Sequence, residues 1–76
     1  MVEDSVYNYK PDLGNRIRAL RNEQGLSLRK FGLMVDVDYT YLFDIERGHA
    51  NATVDTLAKI ASGLGVDMKE LFDFEK

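Results

Sequence analysis

The chain contains no cysteine. That excludes a disulfide framework, a thiolate zinc site and a thiol nucleophile. It contains one proline, Pro11, and one histidine, His49. A lone histidine leaves a zinc site dependent on an unusual set of carboxylates, so no metal is expected. No Gly-rich phosphate loop is present, because Gly63 and Gly65 end a helical stretch. No apolar run approaches the roughly 20 residues that span a bilayer. The start, Met1-Val2-Glu3-Asp4, lacks the basic-then-apolar order of a secretory signal. These absences lead us to expect a soluble cytoplasmic protein that is not an enzyme and needs no cofactor.

What is there fits one small domain. The 76 residues are 45% apolar, which argues against disorder. A chain this short buries only about 60% of the surface its unfolded form exposes. The net charge is -3, but it is unevenly spread. Residues 10–34 carry Lys10, Arg16, Arg18, Arg21, Arg29 and Lys30 against Asp12 and Glu23. Residues 35–76 carry nine acids against Arg47, Lys59, Lys69 and Lys76. The first half can therefore present a basic face while the whole stays acidic.

Helical spacing dominates from Leu13 onward. Leu13, Ile17 and Leu20 form one stripe of a first helix, and Gly25 ends it. Ser27 suits the N-cap of a second helix running to about Val35. Asp38 suits the N-cap of a third, through Tyr39 to Arg47, with Gly48 as its stop. Thr53 opens a fourth helix, in which Val54, Leu57, Ala58, Ala61 and Leu64 repeat at helical steps with Ile60 beside them. Asp67 opens a short fifth helix expected to bury Leu71 and Phe72. No stretch alternates with a period of two between turns, so no sheet is expected. The fold class is all-α, a compact five-helix bundle.

Only about three residues join the second and third helices, ending at Val37. So tight a join forces a steep crossing around Phe31, Val35, Leu42 and Ile45. That is helix-turn-helix geometry, in which the second helix of the pair can enter a DNA major groove.

The order of phrases along the chain resembles the phage-repressor (Cro-like, Xre) helix-turn-helix family from Leu13 to Phe72. The phrases are Leu13-Gly14, Ile17-Arg18, Leu20-Arg21, Gly25-Leu26-Ser27, Val37 and Tyr41, then Ile45-Glu46-Arg47-Gly48. Thr56-Leu57, Ile60-Ala61, Leu64-Gly65-Val66 and Glu70-Leu71-Phe72 complete the set. The resemblance implies a transcriptional regulator that binds double-stranded DNA, as a homodimer. It implies phosphate contacts from Ser27, Leu28 and Arg29, and base-edge contacts from Asp38, Tyr39, Thr40, Phe43 and Asp44. Further phosphate contacts would come from Arg47, His49 and Asn51, and an ion pair would join Arg21 to Glu46. The expected division is an N-terminal arm at 1–11, the helix-turn-helix domain at 12–73 and a tail at 74–76. Met68, Phe72 and Phe74 are the expected anchors of the dimer.

The residues themselves agree at one point. Arg29 and Lys30 fall in the first turn of the second helix, where cations oppose the helix dipole. A structural helix favours acids there, whereas a phosphate site favours cations. The departures from the family lie where DNA would be. Leu28 stands where Gln is common and Asp36 where the turn often has Gly, while Tyr39, Phe43 and Asp44 stand where Ser, Arg, Gln or Asn is common. Asp36, Asp38 and Asp44 bring three acids near a polyanion. Asp38 can cap its helix, Asp44 can accept from a cytosine amino group, and Phe43 or Leu28 can touch a thymine methyl. Leu28, Leu33, Met34, Tyr39 and Phe43 also suit an apolar surface for a protein partner. A protein-interaction module or a partner-regulated DNA binder is therefore the alternative reading.

Overall fold

A computed structural model describes residues 7–74. Four α-helices, α1 Lys10–Glu23, α2 Leu28–Val35, α3 Tyr39–Glu46 and α4 Val54–Leu64, precede a 3₁₀ helix at Met68–Phe72. No strand occurs among the described residues. The arm reading therefore lies mostly outside the described residues, except at its end. There Lys10 and Pro11 are already helical, so α1 starts before the apolar spacing does. Pro11 is tolerated in the first turn, where an N–H has no helical partner anyway, and Asp12 complements the positive end. The Tyr7 hydroxyl donates to the Asp12 carboxylate.

Capping fixes the next boundaries. The Ser27 hydroxyl accepts the Lys30 backbone N–H at 3.1 Å, and the Thr53 hydroxyl accepts that of Thr56 at 3.0 Å. Such caps contribute about 1 kcal/mol each. Asp38 is a correction: it occupies the N-cap position of α3, but its carboxylate caps nothing. Its backbone (φ -55°, ψ 131°) differs from that of Ser27 (-71°, 159°) and Thr53 (-72°, 161°), the two residues that do cap.

One apolar core joins all five elements. Leu13, Ile17 and Leu20 of α1 meet Phe31 and Val35 of α2, Leu42 and Ile45 of α3, the inner face of α4, and Leu71. On α4 that face is Leu57, Ile60, Ala61 and Leu64, while Val54 and Ala58 are exposed, contrary to the expected stripe. Ile60, placed beside the stripe from sequence, lies within it. Phe72 is a second departure, 41% exposed while Leu71 is fully buried. A 3₁₀ helix has three residues per turn, so Met68 and Leu71 share a face and Phe72 turns away from it. Met68 accordingly packs at the margin of the core, as does Phe74.

Two glycines set how closely the elements approach α3. A Cβ at Gly14 would lie 2.4 Å from the Glu46 carbonyl oxygen, so α1 runs directly against the end of α3. A Cβ at Gly32 would lie 2.8 Å from the Val37 carbonyl oxygen, so the turn folds tightly against α2. Side chains pin the rest. Arg16 Nε donates to the Glu70 carbonyl at 2.9 Å, and Gln24 Nε2 donates to the Leu64 carbonyl at 2.8 Å.

Candidate nucleic-acid interface

The path from α2 to α3 is three residues, Asp36 to Asp38. Asp36 takes the left-handed conformation, φ 58° and ψ 48°, in the place where glycine is the easier choice. Its N–H and that of Val37 both donate to the Gly32 carbonyl, which closes α2. Val37 is buried, and with it the turn is tied to the core. Lys59 Nζ stands 4.0 Å from the Asp36 carboxylate, but that carboxylate is fully open to water. Such a pair contributes little.

The far end of α3 is held by Arg21. Its Nε donates to Glu46 Oε2 at 2.7 Å and its Nη2 to Oε1 at 2.8 Å, a two-pronged pair buried between α1 and α3. Its Nη1 donates to the Leu26 carbonyl at 2.8 Å, which draws in the loop before α2. The hydrogen bond to Glu46 raises the Arg21 pKa above its ordinary value. Burial opposes the shift, and the charge of Glu46 adds to it.

With its inner face thus fixed, α3 turns Tyr39, Thr40 and Phe43 to solvent, and Arg47 follows at its C-terminal cap. Tyr39, Phe43 and Arg47 are spaced by four, so they share one edge. The Arg29 guanidinium lies 4.4 Å from the Tyr39 ring centre, and that of Arg47 lies 5.2 Å from the Phe43 ring centre. Each aromatic of the edge therefore carries a cation. Stacking of this kind is worth about 0.5–1 kcal/mol at an exposed site, and it leaves guanidinium N–H groups for phosphates.

The other residues singled out from sequence lie on α2, on α3 with its N-cap, and in the loop after Gly48. Ser27 and Lys30 are exposed at the start of α2, which has no acid in its first turn. Leu28 is half-buried and packs on the core. Asp38 is exposed and Asp44 half-buried. His49 and Asn51 are exposed in the loop after Gly48. That loop is tied back to α3: the His49 N–H donates to the Asp44 carbonyl at 2.8 Å, and the Tyr41 hydroxyl donates to the Asn51 carbonyl at 3.0 Å. Sequence reasoning gave no role to Gly32 or Tyr41. The signal for Gly32 was a glycine inside a helical stretch, and for Tyr41 a phenol next to the core position Leu42, whose hydroxyl would need a hydrogen-bond partner.

A shallow groove beside the edge is lined by Arg29, Gly32, Leu33, Asp36, Val37, Asp38 and Tyr39. Leu33 is 81% exposed there. Among the described residues no group of His, Asp and Glu is gathered to hold a metal ion. Among the same residues no helix is long and apolar enough to cross a membrane.

Comparison with known proteins gives the same picture. The Helix-turn-helix (HTH_3) family profile matches residues 17–71. Control protein C.MunI of Mycoplasma sp is 43% identical over 65 residues, which cover 83% of this chain and 88% of that protein. Control protein C.BamHI of Bacillus amyloliquefaciens is 39% identical over 62 residues, covering 80% of this chain and 76% of that protein. The crystal structure of the restriction-modification controller protein C.AhdI from Aeromonas hydrophila superimposes with a TM-score of 0.82 at 31% identity. The match covers 86% of this chain and 98% of that one.

Proposed function

The chain belongs to the helix-turn-helix family of DNA-binding transcriptional regulators, and on that premise we propose that it binds a specific duplex site as a homodimer with α3 in the major groove. The family is one of regulators, not enzymes. The observation that carries the proposal is the outward edge of α3, with Tyr39 and Phe43 each under an arginine. Tyr39, Thr40, Phe43 and Asp44 face the base edges. Ser27, Arg29 and Lys30 at the start of α2 grip one phosphate strand, and Arg47, His49 and Asn51 grip the other. Leu28 packs beneath them and adds at most a methylene contact.

One domain of this size reads too few bases for a unique site, which motivates the dimer. Phe72, exposed and 6.3 Å from Phe74 between ring centres, supplies an apolar surface for it. Likeness to C.AhdI over nearly all of that controller supports target genes of the restriction–modification kind.

Selection from a random duplex pool tests this. We expect a near-palindrome whose half-sites lie about 34–36 Å apart, bound by a species that sediments as a dimer at micromolar concentration. An enriched site with no two-fold character, or a monomer on the DNA, contradicts the dimer.

A second reading adds a protein partner that tunes DNA binding. It draws on Leu33 and Met34, exposed at 81% and 52% on α2.

A further inference from the structure

We propose that Phe43 is a specificity-determining residue that recognises the 5-methyl group of a pyrimidine in the major groove. This rests on the reading of α3 as the groove-facing helix and names what one position of it reads. The sequence leaves two side chains for such a contact, and the structure separates them. Leu28 is half-buried against the core. Phe43 is 43% exposed, lies midway along the outer edge of α3, and takes no part in the core. The fold therefore leaves part of this ring open to a ligand on the outer face of α3.

The chemistry of that partner follows from the ring. A phenyl group has no donor and no acceptor, so it cannot read the hydrogen-bonding pattern of the bases. The apolar feature that the unmodified major groove offers is the C5-methyl of thymine. A 5-methylcytosine carries the same methyl at the same place. The Arg47 guanidinium, 5.2 Å from the ring centre, flanks the ring with a cation. Phosphate attraction on Arg47 and methyl contact on Phe43 are thus coupled in one side-chain pair. Tyr39, the other stacked aromatic, keeps a hydroxyl that can hydrogen-bond to a base or to a phosphate. Leu33 lies off this edge, in the groove beside the turn.

The test starts from the duplex that the wild-type chain selects. Each thymine is replaced in turn by deoxyuridine, which removes the methyl and nothing else, and affinity is read by fluorescence anisotropy at fixed salt. We expect one thymine per half-site whose replacement weakens binding about fourfold, the effect of burying one methyl-sized group. At that position a 5-methylcytosine pair should bind more tightly than a cytosine pair by a similar factor. Phe43→Ala, checked to melt as the wild type does, should lose both preferences, and Phe43→Leu should keep part of them. A wild-type chain indifferent to every thymine methyl overturns the proposal while leaving DNA binding intact. So does a Phe43→Ala chain that keeps the full preference. A chain that enriches no duplex at all overturns the parent reading as well.

Discussion

Arg21 and Glu46 show how far single residues could be read in advance. Their pairing came from the resemblance alone, since 25 positions separate them. The structure adds the reason the pair matters: it fixes the end of α3 to α1 where Gly14 lets the two backbones touch. Removing one partner strands the other in a buried place. Glu46→Ala should therefore cost about 3–5 kcal/mol. At about 4–8 °C per kcal/mol for a domain of this size, calorimetry should show a melting point lower by more than about 12 °C. An unchanged melting point means the pair carries no stability. On the Arg21 side, a raised pKa contributes stability that is fully present below the ordinary arginine range and is lost only as strong alkali removes the proton. Arg29 makes the contrasting case. It is exposed and its stack on Tyr39 holds no fold together, so Arg29→Ala should leave melting nearly unchanged. It should weaken binding to all duplexes alike and flatten the salt slope by about one unit. A salt titration showing the wild-type slope removes Arg29 from the phosphate contacts. That stack was not legible in sequence, because only the geometry of the turn brings positions 29 and 39 together.

At the level of elements, what the sequence carried best was periodicity joined to capping. Ser27, Thr53, Gly25, Gly48 and Gly65 mark boundaries that the structure keeps, the three glycines all at positive φ. What it carried least well was rotation about a helix axis in short segments. Phe72 was misplaced because five residues do not reveal whether a helix repeats at three or at 3.6. Val54 was misplaced because a first-turn residue can lie on the stripe and still project past the end of the core. Asp38 shows a related limit: residue type announces a cap, but backbone angles decide whether the side chain makes it. The turn itself yields a prediction. Asp36 is left-handed without being glycine. Asp36→Gly relieves that cost and gives back part of it as chain entropy in the unfolded state, for a net gain of about 0.5–1 kcal/mol. Thermal melting should rise by a few degrees, and removal of the acid should tighten DNA binding at low salt. A lower melting point than wild type would mean that the Asp36 side chain stabilises the turn.

For the molecule as a whole, net charge is a poor guide and its placement a good one. A chain of net charge -3 still sets Arg29, Lys30 and Arg47 around one exposed helix. Of the acids near them, Asp36 and Asp38 line the same shallow groove as Arg29 and Leu33, and Asp44 is half-buried on α3 itself. The surplus of cations in the first half was visible in sequence, although Arg47 comes from the acidic second half. The direction of that surplus relative to α3 was not, because it depends on the steep crossing that Gly32 permits.

If the outer face of α3 enters the major groove, a reporter fixed to that face must act inside the groove. The absence of native cysteine allows a direct test, since Thr40→Cys creates a unique thiol on that face. Labelled there with an iron chelate that cleaves DNA, the chain bound to its selected duplex should cut both strands within the centre of each half-site. It should give two clusters about one helical turn apart. Cleavage confined to the flanks, or none on a duplex the labelled chain still binds, would mean that α3 does not lie in the groove.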